Sequence, residues 1–239
     1  MFEKYRVRLL QKAHRQEIER YLADPDFARK ESKSRRHGAI GDWLDPGLGK
    51  RVLEVGCGPG KYVAMLGAMG FDVVGFDPLE FPEWQAIRSA LPVDLRSGIA
   101  AEELPFEDES FDHVCCFGTL LYLNDPVKSL HEMRRVLKPG GRIAIRTVNR
   151  LNNYTRLMGK KLDPVSKNLY SMDELEELLR AIPFQVKRSF AFGYWPSKNT
   201  NFYWFLQTVV LPYSVIDRLD RVLRSENRHN NIVHAARPS

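Results

Sequence analysis

The stretch VLEVGCGPGKY at positions 52–62 decides the fold of this chain. An apolar segment, predicted to be a strand over 51–55, runs into a turn with three glycines. The pattern predicts a helix that begins near Pro59, on the far side of the turn. A strand, a glycine turn and a helix in this order are typical of the nucleotide-binding corner of a doubly wound α/β sheet.

The spacing of the glycines favours one class of ligand. Gly56, Gly58 and Gly60 do not follow the dinucleotide pattern G-x-G-x-x-G, and Lys61 stands where that pattern has its third glycine. Glu54, two residues before the first glycine, suits a ligand that carries a cation and repels a pyrophosphate. S-adenosylmethionine carries an ammonium and a sulfonium, so these residues favour it over a dinucleotide.

A second carboxylate follows the next predicted strand, 71–76. Asp77 lies seventeen residues beyond Gly60 and is followed by Pro78. In a nucleotide-binding fold this position faces the ribose, and a carboxylate there accepts hydrogen bonds from both ribose hydroxyls. We therefore expect Asp77 to bind the ribose.

Four segments together resemble class I S-adenosylmethionine-dependent methyltransferases, in the type 11 group that includes ubiquinone-type and small-molecule enzymes. They are LEVGCGPGKY (53–62), VVGFDP (73–78), AEELPFEDESFDHV (101–114) and LHEMRRVLKPGGRIAI (130–145). The resemblance implies a Rossmann-like, doubly wound α/β sheet of seven strands, mostly parallel with one antiparallel strand, and helices on both faces. Predicted strands at 184–192 and 231–235 supply the closing pair.

The resemblance also implies how the cofactor is bound. It places the glycine loop on the methionine part, Asp77 on the ribose, the Ala100–Glu102 segment beside the adenine and Phe117 on the sulfonium side. The expected cofactor-binding residues are Glu54, Gly56, Cys57, Gly58, Gly60, Asp77, Pro78, Ala101, Glu102, Phe117 and Arg36. Relatives often have an acid where this chain has Ala100.

The sequence offers few candidates for a catalytic base. Methyl transfer needs in-line placement, and an oxygen or nitrogen nucleophile must also lose a proton. Many relatives have two histidines where this chain has Leu121-Tyr122. Tyr122 and Asn149 follow predicted strand ends on the active side, and His37 precedes the first strand. These three are the candidate catalytic residues, and no metal site is expected.

The remaining periodicity predicts one domain. We expect a helical cap over 1–49, with a helix at 2–22, a cofactor-binding core over 50–148, and a substrate-side half over 149–239. Ser171 and Glu174 have the spacing of a capping box, which predicts a helix to about Arg180. Other predicted elements are a third strand ending near 95, a fourth at 113–117, a helix at 126–137 and a fifth strand at 142–148.

Composition sets the broad class. A net charge of +6 permits an anionic, nucleic-acid or membrane partner but selects none of them. We expect no nucleic-acid partner, since no dedicated binding module is present. Three cysteines without ligand-like spacing, and no apolar run long enough to cross a bilayer, favour a cytoplasmic protein.

An insertion at about 196–228 is the main clue to the acceptor. Its aromatic residues, followed by Arg218, Arg221 and Arg224 on one helical face, predict either a lid or a surface that touches lipid. The leading interpretation is O-methylation of a small-molecule, sugar or lipid-linked acceptor, with peripheral contact at the inner membrane surface. Alternatives are a non-catalytic cofactor-binding partner subunit and, favoured less, a nicotinamide-dependent oxidoreductase.

Overall fold

A seven-stranded sheet forms the centre of the computed structural model, which describes residues 2–44, 49–151, 167–192 and 230–239. The strands are β1 (Arg51–Val55), β2 (Asp72–Asp77), β3 (Asp94–Ser97), β4 (Phe111–Phe117), β5 (Leu137–Val148), β6 (Gln185–Phe192) and β7 (Asn230–Ala236). The helices in the described ranges are α1 (Phe2–Ala23), α2 (Pro25–Ser32), α3 (Ile40–Trp43), α4 (Lys61–Ala68), α5 (Glu83–Ala90), α6 (Pro126–Val136) and α7 (Met172–Ala181).

The strand order is β3-β2-β1-β4-β5-β7-β6. Strands β1 to β5 pair in parallel, and β7 runs antiparallel between β5 and β6. The predicted fold class, with its single antiparallel strand, is confirmed. The order reverses between β1 and β4, and open α/β sheets bind ligands at the carboxyl ends of the strands at such a reversal.

Both faces of the sheet are covered by apolar side chains. One core lies between the sheet and helices α6 and α7, with Leu130, Met133 and Leu179 fully buried. The other lies under α1, α2, α4 and α5, where Ile18 and Trp84 are buried. The near-continuous burial of β1 and β4 is what a parallel strand covered on both faces requires.

Several element boundaries differ from the sequence prediction. Helix α4 begins at Lys61 rather than near Pro59, because Gly60 caps it in the left-handed region, with φ of 86°. Strand β3 runs two residues past Leu95, and β4 starts two residues before His113. Strand β5 starts at Leu137, which pairs with Phe111 across a bulge, so it begins five residues before the predicted strand at 142–148.

Other local predictions are confirmed. Helix α1 covers the predicted 2–22 segment. Helix α7 begins with a complete capping box: Glu174 N donates to Ser171 Oγ at 3.2 Å, and Ser171 N donates to Glu174 Oε2 at 2.7 Å. The insertion at about 196–228, its predicted helix and most of the segment after Leu151 lie outside the described residues.

Candidate functional site

The three glycines of the turn after β1 differ in how much space surrounds the position that a Cβ would occupy. A Cβ on Gly56 would lie 2.3 Å from the side chain of Thr119, and one on Gly60 would lie 2.6 Å from Ile87 Cδ1. Gly58 has nothing within 4 Å of that position, although its φ is +51°. The outer two glycines therefore allow close packing, and the middle one presents bare backbone to open space, where a ligand can approach it.

Asp77 ends β2 directly beside this turn. Its Oδ2 accepts a hydrogen bond from Gly58 N at 3.0 Å, and its Oδ1 accepts one from Leu79 N at 3.1 Å. Each carboxylate oxygen has about two lone-pair sites, so the group retains acceptor capacity. The carboxylate thus holds the turn and can still receive a pair of vicinal hydroxyls. Leu79, at 65% exposure, presents an apolar surface two residues beyond it.

Glu54 is a buried carboxyl in the middle of the sheet. It is 1% exposed, and its strand neighbours in register are Gly75 and Cys115. Its Oε2 accepts no hydrogen bond from the residues that the structure describes. Burial raises the pKa of this carboxyl well above its usual value, although Lys61 and Arg146 act in the opposite direction. A buried acid with an unused acceptor oxygen is suited to a cationic group of a ligand.

A buried chain of polar groups connects the end of β5 to the N-terminal helices. Arg146 Nη1 donates to the Tyr62 hydroxyl at 2.7 Å, and that hydroxyl lies 3.3 Å from His37 Nδ1. Because the arginine can only donate, the hydroxyl hydrogen is directed to Nδ1, and we assign the imidazole proton to Nε2. Nε2 lies 3.3 Å from the Tyr21 hydroxyl and 3.5 Å from Glu31 Oε2.

This environment bears on His37 as a candidate base. The side chain is fully buried, and burial, followed by the charges of Lys61 and Arg36, lowers its pKa well below the usual value. A neutral imidazole held between two tyrosine hydroxyls orients Tyr62 rather than facing an acceptor. The role of His37 as a base stays a prediction, and its surroundings support a positioning role instead.

Helix α1 places an ionic cluster over the turn. Glu17 Oε1 accepts a hydrogen bond from Arg36 Nη2, and Glu17 Oε2 lies 3.5 Å from Lys61 Nζ. Burial alone would raise the pKa of Glu17, but Lys61 and Arg36 outweigh it and lower the pKa. Arg36, expected to bind the methionine carboxylate, is thus already paired with Glu17 in this structure, and its cofactor role stays a prediction.

Helix α1 also contributes a histidine that the sequence analysis missed. Burial, and after it the charge of Lys61, lowers the pKa of His14 to about 4, so the imidazole is neutral beside this cluster. His14, Glu17 and Tyr21 recur at intervals of three and four, which places them on one helical face. In a helix charged throughout its length, that interval was the only available signal.

The expected adenine side is more closely packed. Ala101 is buried, and Cys57 is 6% exposed, with its pKa raised by burial. Glu102 Oε1 accepts hydrogen bonds from Asn124 N at 2.9 Å and Asp125 N at 3.2 Å, so it ties down the loop before α6. Contact of Ala101 and Glu102 with adenine stays a prediction, as does binding of the cofactor by Cys57 and by the exposed Pro78.

Aromatic side chains lie where the resemblance places the sulfonium. Phe117, 7% exposed at the end of β4, packs against Tyr62 with ring centroids 4.6 Å apart. The guanidinium of Arg146 lies 5.7 Å from the Phe117 ring and 5.4 Å from the Tyr62 ring. These two rings form an apolar, electron-rich surface.

The two remaining catalytic candidates differ in accessibility. Tyr122 is 45% exposed at the carboxyl edge of the sheet, in a position where it can meet an acceptor. Asn149 is 3% exposed, and its Oδ1 accepts a hydrogen bond from Leu151 N at 3.0 Å in a local turn. Both catalytic roles stay predictions.

Comparisons with known proteins agree with this geometry. Residues 53–145 match the family model described as a methyltransferase domain. An uncharacterized methyltransferase of Mycobacterium tuberculosis is 40% identical over 105 residues, which are 44% of this chain and 42% of that protein. A ubiquinone biosynthesis O-methyltransferase of Pseudomonas aeruginosa is 35% identical over 119 residues, 46% of this chain and 50% of that one. The matches thus span about half or less of each relative.

Solved structures share the fold over a longer stretch. An S-adenosylmethionine-dependent methyltransferase from Mesorhizobium loti has a TM-score of 0.61 at 18% identity and covers 84% of this chain and 96% of its own. A Haloferax volcanii methyltransferase, solved with the Trm112 methyltransferase activator, has a TM-score of 0.61 at 19% identity, over 93% and 98% of the two chains.

Residues 53–145 thus match a methyltransferase domain, and the described sheet has the fold of the S-adenosylmethionine-dependent methyltransferase from Mesorhizobium loti. Three features of the described residues fit its cofactor. They are the unused oxygen of Glu54 for the ammonium, the open backbone at Gly58 for the methionine part, and the remaining acceptor capacity of Asp77 for the ribose.

Proposed function

We propose that this chain is an S-adenosylmethionine-dependent methyltransferase that methylates an oxygen of a small-molecule, sugar or lipid-linked acceptor. The observation that carries the proposal is the unused, buried Oε2 of Glu54 beside the three-glycine turn. A carboxyl without a partner is costly in a folded protein, and a ligand cation repays that cost. A dinucleotide pyrophosphate would be repelled by the same group, which argues against a nicotinamide-dependent enzyme.

Several residues prepare the site for transfer. When bound, the cofactor supplies a methyl group on a positively charged sulfur, which a nucleophile can displace in line. Asp77 binds the ribose, the open space at Gly58 lets the methionine end approach closely, and Glu54 receives the ammonium. Phe117 and Tyr62 offer aromatic faces that tolerate a sulfonium without water. Placement of this kind supplies much of the rate of a methyl transfer.

The observations on the acceptor favour an oxygen nucleophile but do not select a specific compound. Among the relatives, one is named for O-methylation in ubiquinone biosynthesis, which favours a small-molecule acceptor with an oxygen nucleophile. We expect Tyr122, which is 45% exposed, to contact that acceptor. We propose that the aromatic and arginine-rich segment at about 196–228 contacts the acceptor, including a lipid-linked acceptor.

A second function has a specific observation in its favour. His37, one of the candidate bases, is fully buried. The Haloferax neighbour was solved together with an activator protein. Both observations favour a cofactor-binding subunit that turns over only with a partner. Addition of a second protein to a binding-competent but inactive chain separates this function from that of a self-sufficient enzyme.

The test uses S-adenosylmethionine labelled in its methyl group. The purified chain is incubated with small-molecule and lipid extracts, and labelled products are separated by phase partition. We expect labelled product with the wild type and much less with Asp77→Ala. That variant should bind S-adenosylhomocysteine at least about tenfold more weakly, for a loss of about 1.5–3 kcal/mol. Equal affinity of Asp77→Ala in calorimetry would contradict the ribose assignment.

A further inference from the structure

We propose that Trp84 is a positioning residue for the cofactor. Its buried indole N–H holds the carbonyl of Gly58 and so fixes the one glycine of the turn that faces open space. The inference rests on the proposed function, because it concerns how the turn is prepared for S-adenosylmethionine. It adds a residue that lies outside the four sequence segments that resemble the family.

The geometry clamps Gly58 from two elements at once. Trp84, in the first turn of α5, is fully buried, and its Nε1 donates to Gly58 O at 2.7 Å. On the other side, Gly58 N donates to Asp77 Oδ2 at 3.0 Å. Both polar groups of the residue are thus fixed by side chains, one from β2 and one from α5.

The indole also packs against the end of the turn. Its Cδ1 and Nε1 lie 3.5 and 3.7 Å from the position that a Cβ on Gly60 would occupy. Its own orientation is fixed by neighbours: the Phe81 ring is 6.0 Å away, and the Arg88 guanidinium is 5.4 Å from its ring. Trp84 therefore contacts two of the three glycines and has little room to move.

Such a clamp matters most at a glycine. Gly58 has the widest choice of backbone conformations and adopts φ of +51°. Without an anchor on its carbonyl, the peptide would lose conformational freedom when the cofactor binds, and that loss would weaken affinity. With the anchor, folding has already fixed the conformation. We infer that Trp84 contributes to cofactor affinity without touching the cofactor.

A buried indole N–H usually has a hydrogen-bond partner. The experiment must therefore distinguish a bond that only satisfies this donor from one that also prepares Gly58 for the cofactor. The chain offers a matched control. Trp43 Nε1 donates to Ile143 O at 3.0 Å, which is also an indole-to-backbone bond but lies away from the glycine turn. Replacing each tryptophan by phenylalanine removes one such bond, and only one of the two replacements affects Gly58.

The experiment compares wild type, Trp84→Phe and Trp43→Phe in calorimetric titrations with S-adenosylhomocysteine, with thermal unfolding of each chain as a second readout. We expect both variants to lose stability. We expect Trp84→Phe to bind about five- to tenfold more weakly and Trp43→Phe to change by less than twofold. Equal affinity of Trp84→Phe and wild type would overturn the inference. A wild type that binds no S-adenosylhomocysteine would instead refute the proposed function.

A second measurement on the unaltered chain covers the case in which Trp84→Phe does not fold. The chain contains four tryptophans, so ¹⁵N-labelled indole gives four N–H signals. The signals of Trp43, Trp195 and Trp204 are assigned by single phenylalanine variants. On addition of S-adenosylhomocysteine, the remaining signal should shift and exchange more slowly with solvent, while that of Trp43 should not. An unmoved Trp84 signal would overturn the inference.

Discussion

Replacing Glu54 by glutamine should weaken cofactor binding and, in the ligand-free protein, stabilise the fold. The change preserves size and removes the ionisable carboxyl from a side chain that is 1% exposed. The opposite signs follow from one fact: the carboxyl is costly when it has no partner and valuable when a ligand cation is present. If Glu54 had a purely structural role, its replacement would lower both the cofactor affinity and the stability of the fold.

The magnitude follows from the environment of the carboxyl. A hydrogen bond to a charged group is worth about 1.5–3 kcal/mol, so affinity for S-adenosylhomocysteine should fall roughly 10- to 150-fold. Burial raises the pKa of Glu54 above its usual 4.5, so the native state binds more protons than the unfolded chain above that pH. Stability attributable to Glu54 is therefore lost as pH rises through the folded pKa, and Glu54→Gln should remove that loss.

Calorimetry tests the predicted loss of affinity, and denaturant unfolding tests the predicted gain in stability of the ligand-free protein. Titrations in buffers of different ionisation enthalpy should show that the wild type releases protons on binding, and that Glu54→Gln releases fewer. Asp112→Asn is the matched control, because Asp112 Oδ2 accepts from Arg51 N at 2.9 Å, at the opposite end of the sheet. It should destabilise the chain and leave affinity unchanged. Undiminished affinity in Glu54→Gln would refute the reasoning.

Two further predictions concern a pair of histidines, one in α1 and one in β7, and the insertion. Burial lowers the pKa values of His14 and His234 to about 4, so both are neutral in the native state and gain protons on unfolding below their usual 6.5. Stability should thus fall as pH drops from 7 to 5, by on the order of 2 kcal/mol per histidine in urea unfolding, and His234→Gln should reduce the slope; an unchanged slope would contradict the assignment. Deletion of 196–228 should spare S-adenosylhomocysteine binding and abolish methyl transfer to the acceptor; retained transfer would show that the acceptor site lies elsewhere.

The parts of the fold that sequence could predict are those encoded locally. A strand, three glycines and a following helix are set by neighbouring residues, and Asp77 follows from strand length alone. The capping box at Ser171 is likewise complete within four residues. In each case the physical determinant lies within a few positions of the element that it defines, so pattern and structure agree.

The parts that sequence could not predict depend on packing between distant segments. The bond from Trp84 to Gly58 spans 26 positions, and the contact of Thr119 with Gly56 spans 63. The ionic cluster needs α1 to fold over α4, which no local pattern in a helix of mixed charge reveals. Pro59 was expected inside α4, but the left-handed conformation of Gly60 delays the start of the helix.

The approach of α1 also explains why the expected role of Arg36 remains a prediction. Glu17 occupies both Arg36 and Lys61, so either cation must share or exchange its partner when a ligand carboxylate arrives. The structure describes no helix long and apolar enough to cross a membrane within its assigned ranges. In our proposal, contact with a lipid-linked acceptor depends on the insertion at about 196–228.

Direct titration of the wild-type chain tests the central claim, namely that the turn at Gly56 to Gly60 and the carboxylates beside it bind S-adenosylmethionine. Calorimetry with S-adenosylhomocysteine and, separately, with NAD should give saturable one-to-one binding for the first and no heat for the second. Binding of NAD together with no response to S-adenosylhomocysteine would contradict the account.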